Sequence, residues 1–177
     1  MEEEKKMNTI RKSRIFLPWQ DEDEEEWLNE MAAKGLHLQR VNFPCFYYFI
    51  EGEPSTYVYR LDFKSSPKTD MNEYLQLFAD AGWEHVGQFF NGWQYFRKAV
   101  APGETAEIYS DAESKMAKYN RLMLFLVPFV PSLTFSLITV SNSRMFFMVI
   151  LDVFLLIIYI IAFVKLMKRV KDLKKQI

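Results

Sequence analysis

Two histidines, His37 and His85, and one cysteine, Cys45, are all the imidazole and thiol in this chain of 177 residues. A zinc-type site wants three or four such ligands at short spacings, and these three do not supply them. No Gly-rich phosphate loop and no Gly-x-Ser-x-Gly elbow accompanies them. The expectation is a protein that is not an enzyme and carries no metal or cofactor. His37 and His85 read as partly exposed strand residues. Cys45 lies in an apolar strand and reads as a buried thiol, and one cysteine allows no internal disulfide. The acidic run Asp21–Glu26 could gather a cation, but negative charge at a helix N-terminus accounts for it more simply.

Two further features could do chemistry of a binding kind. Asp152 stands alone in the apolar run Met145–Val164, where an ionisable residue costs about 2.5–3.5 kcal/mol on insertion scales. A proton relay needs more than one such group. Asp152 therefore reads as an intramembrane polar contact, either with water and Ser/Thr hydroxyls near the interface or with a partner helix. The second feature is aromatic: 16 Phe, 9 Tyr and 4 Trp. In a strand, successive side chains point to opposite faces. The runs Phe46–Phe49 and Trp93–Phe96 must therefore put some rings on the face away from the core. Phe46, Tyr48, Trp93 and Tyr95 are the candidate face for a protein, peptide or flat ligand, unless loops or a linker helix cover them.

Those rings need a scaffold, and the scaffold is written twice. At an offset of 47, Asp23, Glu26, Trp27, Leu28, Met31, Ala32, Gly35 and Leu36 match Asp70, Glu73, Tyr74, Leu75, Phe78, Ala79, Gly82 and Trp83. Phe46–Phe49 matches Trp93–Phe96 at the same offset, which is a repeat signal. Asp23-x-x-Glu26 and Asp70-x-x-Glu73 read as capping boxes. Trp27, Leu28, Met31 and Ala32 form an apolar helix stripe, as do their counterparts. Gly35 and Gly82 read as left-handed helix stops. Strands are expected at Leu36–Val41, Pro44–Glu51, Trp83–Phe90 and Trp93–Lys98, with Asn91-Gly92 as a hairpin turn. Tyr57–Phe63 alternates as a half-buried strand, and Arg14–Leu17 is its weaker counterpart. The expected fold is α+β: duplicated β-α-β-β units giving an antiparallel sheet with two helices on one face, then a two-helix transmembrane hairpin.

The hairpin follows from apolar length. Residues 122–143 carry no charge, and a bilayer core takes roughly 20 apolar residues per helix. Spans are expected at 122–140 and 145–164, joined by Ser141–Arg144. Pro128 and Pro131 kink the first, where Ser132 and Thr134 can satisfy the freed carbonyls. Lys115, Lys118 and Arg121 precede the spans, and Lys165, Lys168, Arg169, Lys171, Lys174 and Lys175 follow them. Positive charge stays on the cytoplasmic side, so both termini are expected there, in a multi-pass protein of the cell membrane. The N-terminus has no apolar run of the kind a cleaved signal peptide carries. Residues 1–121 hold 15 Lys and Arg against 21 Asp and Glu, which argues against nucleic acid as a partner. The expected organisation is a cytosolic domain at 1–98 (repeats at about 11–51 and 56–98), a linker and amphipathic helix at 99–121 opened by Ser110-x-x-Glu113, the hairpin at 122–164 and a basic tail at 165–177.

The segments Glu26-Trp27-Leu28-x-x-Met31-Ala32-x-x-Gly35, Tyr57-x-Tyr59-x-x-Asp62, Glu73-Tyr74, Ala81-Gly82-Trp83-Glu84 and Trp93-x-Tyr95-Phe96-Arg97-Lys98 together resemble the bacterial family called domain of unknown function 2812, over about residues 11–98. One departure is Leu36, where the family pattern has tryptophan. The resemblance implies C-terminal membrane spans and a frequent genetic neighbour, a PadR-type transcriptional regulator; it brings no catalytic residues. The expected function is a membrane-anchored cytosolic binding or regulatory module. Its expected partners are the lipid bilayer, a regulator or membrane complex, and a second copy through the spans. The rival expectation is an accessory subunit of a membrane transporter or envelope complex, held by contacts that include Asp152.

Overall fold

A computed structural model describes residues 9–64, 70–89, 92–109, 111–127 and 146–175, without the side chains of 146–149. It divides into two compact units, Met1–Ile108 and Tyr109–Ile177. In the first unit the order is β1 (Thr9–Ser13), α1 (Asp21–Ala33), β2 (Leu36–Asn42), β3 (Phe46–Glu51), β4 (Tyr57–Phe63), α2 (Met71–Asp80), β5 (Glu84–Phe89) and β6 (Trp93–Ala99). The second unit contributes α3 (Ala112–Leu126) and α4 (Phe146–Lys174).

The six strands form two three-stranded antiparallel sheets, ordered β1-β3-β2 and β4-β6-β5. Each repeat thus places its last strand in the middle. The equivalence extends to irregularities. A bulge falls between Leu38 and Arg40 in β2, and another between His85 and Gly87 in β5, again 47 residues apart. Gly35 and Gly82 take φ of +77° and +80°. A side chain at Gly35 would also meet the Gly52 carbonyl oxygen at 2.5 Å, so glycine is required there on two counts.

Three expectations change. The sheet is not single: β2 and β5 run close together, but no ladder joins them, and bulged edge strands resist further pairing. The helices do not share a face. Trp27, Leu28, Met31 and Ala32 of α1 pack into one core with Leu38, Tyr47 and Phe49 of the first sheet and Tyr59, Leu61 and Tyr95 of the second. Phe78 of α2 and Trp83 pack instead with Val58 and Phe96, on the opposite face of the second sheet. That sheet therefore has α1 on one face and α2 on the other, where Val58 and Phe96 make the apolar contact. The third change is at the N-terminus. Arg11 pairs with Tyr48 and Leu61 with Tyr95, so first-strand counterparts lie 50 apart rather than 47. The strand is therefore Thr9–Ser13 and not Arg14–Leu17, because three more residues separate it from Asp23 than separate β4 from Asp70, and the earlier start of α1 takes them up.

The helix starts divide. Asp70 caps α2, accepting from the Asn72 amide at 2.8 Å, but among the described residues Glu73 does not close the expected box. α1 begins two residues before Asp23, after Gln20, without a side-chain cap. α3 is capped by Asp111, which accepts from the Ser114 amide at 2.7 Å; Ser110 and Asn91 lie outside the described residues. In the second unit α3 and α4 pack together, with Leu122, Ala162 and Leu166 buried. Arg169 donates to the Tyr119 hydroxyl at 2.7 Å. Among the described residues one helical stretch, Ile150–Lys174, is long and apolar enough that it could cross a membrane. Most of the expected first span, with Pro128, Pro131, Ser132 and Thr134, lies outside the described residues, as does the loop Ser141–Arg144.

Candidate functional site

Helix α1 carries an acidic N-terminal half, Asp21–Glu26, yet Asp21, Glu24 and Glu25 are buried. Glu24 and Glu25 each meet donors from the strands. β4 is an edge strand whose outward amides lack a neighbouring strand, and orphaned buried amides are costly. The Tyr59 amide donates to Asn29 Oδ1 at 2.6 Å and the Leu61 amide to Glu25 Oε1 at 2.8 Å. Residues four apart share a helix face, so Glu25 and Asn29 meet alternate amides of one strand. The Glu25 carboxylate also lies 3.6 Å from the Arg60 guanidinium.

Glu24 lies deeper. Its Oε1 accepts from the hydroxyls of Tyr47 at 2.7 Å and Tyr95 at 2.6 Å, one tyrosine from each sheet. Burial pushes the Glu24 carboxyl up to about 7, opposed by the two tyrosine hydrogen bonds and assisted by the charge of Asp21. The same burial, with Glu24 alongside, holds both tyrosine hydroxyls well above their usual range. The group is a joint between the repeats. It has no open approach, since Tyr95 is 2% exposed.

The predicted aromatic face divides in the same way. Phe46 and Tyr48 are half-buried on the outer face of the first sheet, opposite the core side that Tyr47 and Phe49 fill. Arg11 lies over the Phe46 ring at 4.9 Å and Arg40 over the Tyr48 ring at 4.6 Å, a cation–π arrangement. Trp93 packs half-buried against the main core and Tyr95 lies within it, so neither belongs to an open face. The repeat explains the split. Tyr48 and Tyr95 are counterparts, but the sheet face around Tyr95 is filled by α1, while the face around Tyr48 has no helix on it among the described residues.

The remaining candidates are quiet. His37 Nε2 is 2.9 Å from the Glu53 carbonyl oxygen and His85 Nε2 is 2.9 Å from Gln94 Oε1. Cys45 is half-buried with φ of +111°. Burial and then the charge of Glu24 raise its thiol pKa, which disfavours the reactive thiolate. Among the described residues no three His, Cys, Asp or Glu side chains cluster as metal ligands would. Asp152 lies on α4, two turns from Phe146, and is half-buried. The sequence reading missed Glu24, Glu25, Asn29, Arg11 and Arg40. One available signal was that Glu25 and Asn29 share a helix stripe with Leu28 and Ala32.

No curated protein and no solved structure shows a match to the chain. The family model described as "protein of unknown function (DUF2812)" matches residues 20–130, from just before α1 to beyond α3. On that match across most of its length, this chain belongs to the DUF2812 family.

Proposed function

We propose that the protein is a membrane-anchored binding module with a regulatory role and no catalytic activity of its own. In this reading α4 crosses the membrane and the Met1–Ile108 unit works in the cytosol. The open face around Phe46 and Tyr48 docks a partner. The observation that carries the reading is α4 itself: Ile150, Phe154, Ile157, Ile160, Ile161 and Val164 are all exposed on one helix, far more apolar surface than water tolerates. Support for a second span comes from Tyr119 and Arg169. At ~1.5 Å rise per residue, Arg169 lies about 35 Å along α4 from Phe146. A chain that brings Arg169 beside Tyr119 must cover that length between Tyr119 and Phe146, and at the same rise their separation of 27 positions reaches about 40 Å. Both basic flanks then share the cytoplasmic side. An association with a PadR-type regulator is the form of regulation that the sequence resemblance suggests.

The test uses the full chain in intact cells, with Cys45→Ser and Ser143→Cys. A membrane-impermeant maleimide added outside should label Ser143→Cys, and a cysteine at Thr9 should react only after permeabilisation. Labelling of Ser143→Cys only from inside would reverse the topology. A photoreactive residue in place of Tyr48 should capture a discrete species that a probe at exposed Gln88 does not. Equal capture at both positions would remove the docking face.

The rival reading, an accessory subunit of a transporter or envelope complex, draws on Asp152. Asp152→Asn separates the two. Loss of co-purifying membrane proteins favours the rival; unchanged behaviour favours the docking module.

A further inference from the structure

Within the Met1–Ile108 unit the first repeat has its counterpart in the second, and the two differ in what they hold. In the first repeat α1 and β2 form a slot that grips β4. Asn29 and Glu25 accept the Tyr59 and Leu61 amides. The Leu38 amide donates to the Tyr59 hydroxyl at 3.2 Å, and the His37 ring meets the Tyr57 ring edge-on at 5.5 Å. Leu28 and Ala32 pack in the same core as Tyr59.

Adding 47 to Glu25, Leu28, Asn29 and Ala32 gives Asn72, Leu75, Gln76 and Ala79, and adding it to His37 and Leu38 gives Glu84 and His85. All six line one open groove of about 680 Å³ between α2 and β5. It is the same slot with no strand in it among the described residues. The Asn72 side chain makes no hydrogen bond among them. Gln76 donates its amide nitrogen to Asp80 at 2.7 Å, and its Oε1 accepts nothing there.

The counterpart of β4 is β1, which is also the edge strand of its sheet. By register, the amides of Thr9 and Arg11 stand where those of Tyr59 and Leu61 stand, on the side away from the middle strand. Charge agrees with the match. Residues 9–20 and 36–50, which build β1 and the face beside it, hold Arg11, Lys12, Arg14 and Arg40 and no acid. The exposed side of α2 carries Glu73 and Asp80. Opposite charges across a contact favour one register over others.

We propose that copies of this chain associate head to tail, with β1 of one entering the α2–β5 groove of the next. The contact between chains then repeats the contact that joins the repeats within one chain. The proposal rests on the reading that the Phe46/Tyr48 face docks a partner, and it names that partner as a second copy. The contact is heterologous, using different surfaces on the two sides, so it extends into a row unless the rotation closes a ring.

The test uses full-length protein in lipid nanodiscs large enough for two copies, in a Cys45→Ser background. Thr9→Cys in one preparation and Gln76→Cys in another are mixed before oxidation. The mixture should give a disulfide-linked pair, while neither preparation does so alone and Thr9→Cys with Gln88→Cys gives none. Adding Ala79→Arg to the Gln76→Cys copy blocks the groove at an exposed position. It should lower the yield more than about tenfold, a factor reached by about 1.4 kcal/mol, with an unchanged circular dichroism spectrum. Pairing of Thr9→Cys with itself would indicate a symmetric contact and overturn the proposal, as would a yield indifferent to Ala79→Arg. If no pair forms while the Tyr48 probe captures a different protein, the second-copy assignment falls and the docking face stands. If that probe also captures nothing, both fall.

Discussion

Helix α1 is the more acidic of the two repeat helices and also the more buried. α2 carries Met71, Leu75, Leu77 and Phe78, yet only Phe78 is buried. The difference comes from stacking. The two repeats are arranged head to tail, so α1 is enclosed by its own sheet on one side and the second repeat's sheet and edge strand on the other. Among the described residues α2 has its own sheet and the apolar side chains Val100, Ala106 and Ile108 that pack on the same cluster. A helix that faces an edge strand must offer acceptors for that strand's amides, which is why Glu25 and Asn29 tolerate burial. Composition therefore marks which helix is inside in a way opposite to the usual hydrophobic rule.

The largest expected effect tests that enclosure directly. Leu28 is fully buried and its counterpart Leu75 is half-buried. Leu28→Ala should destabilise the full-length protein by about 3 kcal/mol and Leu75→Ala by about 1 kcal/mol or less, read from urea unfolding midpoints. Equal losses would mean that the two helices are equally enclosed.

Next in size are the strand acceptors. Asn29→Ala leaves the Tyr59 amide unpaired and should cost about 1–3 kcal/mol, the range for a stranded buried donor. Gln76→Ala at the matching position should change stability by less than about 0.5 kcal/mol. The same unfolding measurement decides it.

How far this was legible in the sequence depends on which contacts each element needs. Gly35, Gly82, β2, β3, β5 and β6 follow from local rules, and the 47-residue offset carried them. β1 did not, because its offset is 50 and the three extra residues at the start of α1 hide the register. The acids of α1 pointed to a helix start because their other use, capping a distant edge strand, is a tertiary relation that no local window contains. The aromatic face was half legible. Phe46, Tyr48, Trp93 and Tyr95 sit on equivalent faces of their repeats, but which one is covered depends on the order of stacking. The bulges were invisible, since Gln39 and Val86 differ in type and share only geometry.

Glu24 gives a third contrast, because its counterpart Met71 cannot titrate. The folded state keeps the Glu24 proton up to about pH 7, while the unfolded chain releases it near the ordinary value of 4.5. Between those limits the folded state holds more protons, so stability falls as pH rises through that window and is level above it. The span of the effect is at most about 3 kcal/mol. Glu24→Gln should flatten this part of the pH profile of the unfolding midpoint; an unaltered slope would remove Glu24 as its cause.

The smallest effect belongs to a surface pair of the second repeat. Arg97 donates two hydrogen bonds to Glu84, at 2.8 and 2.6 Å, and holds its carboxyl below the usual range. Glu84 is exposed, so Glu84→Ala should shift the unfolding midpoint by no more than an exposed pair usually contributes. A loss as large as that of Asn29→Ala would show that the second repeat is held more tightly than its burial implies.

Amide hydrogen exchange on the dispersed full-length protein reaches the difference between filled and empty slots most directly. Tyr59 and Leu61 lie on an edge strand but should exchange as slowly as the core, because α1 holds their amides. Thr9 and Arg11, at the same repeat position on β1, should exchange orders of magnitude faster. If Tyr59 and Leu61 exchange as quickly as Thr9 and Arg11, α1 does not grip β4, and the head-to-tail stacking described here is wrong.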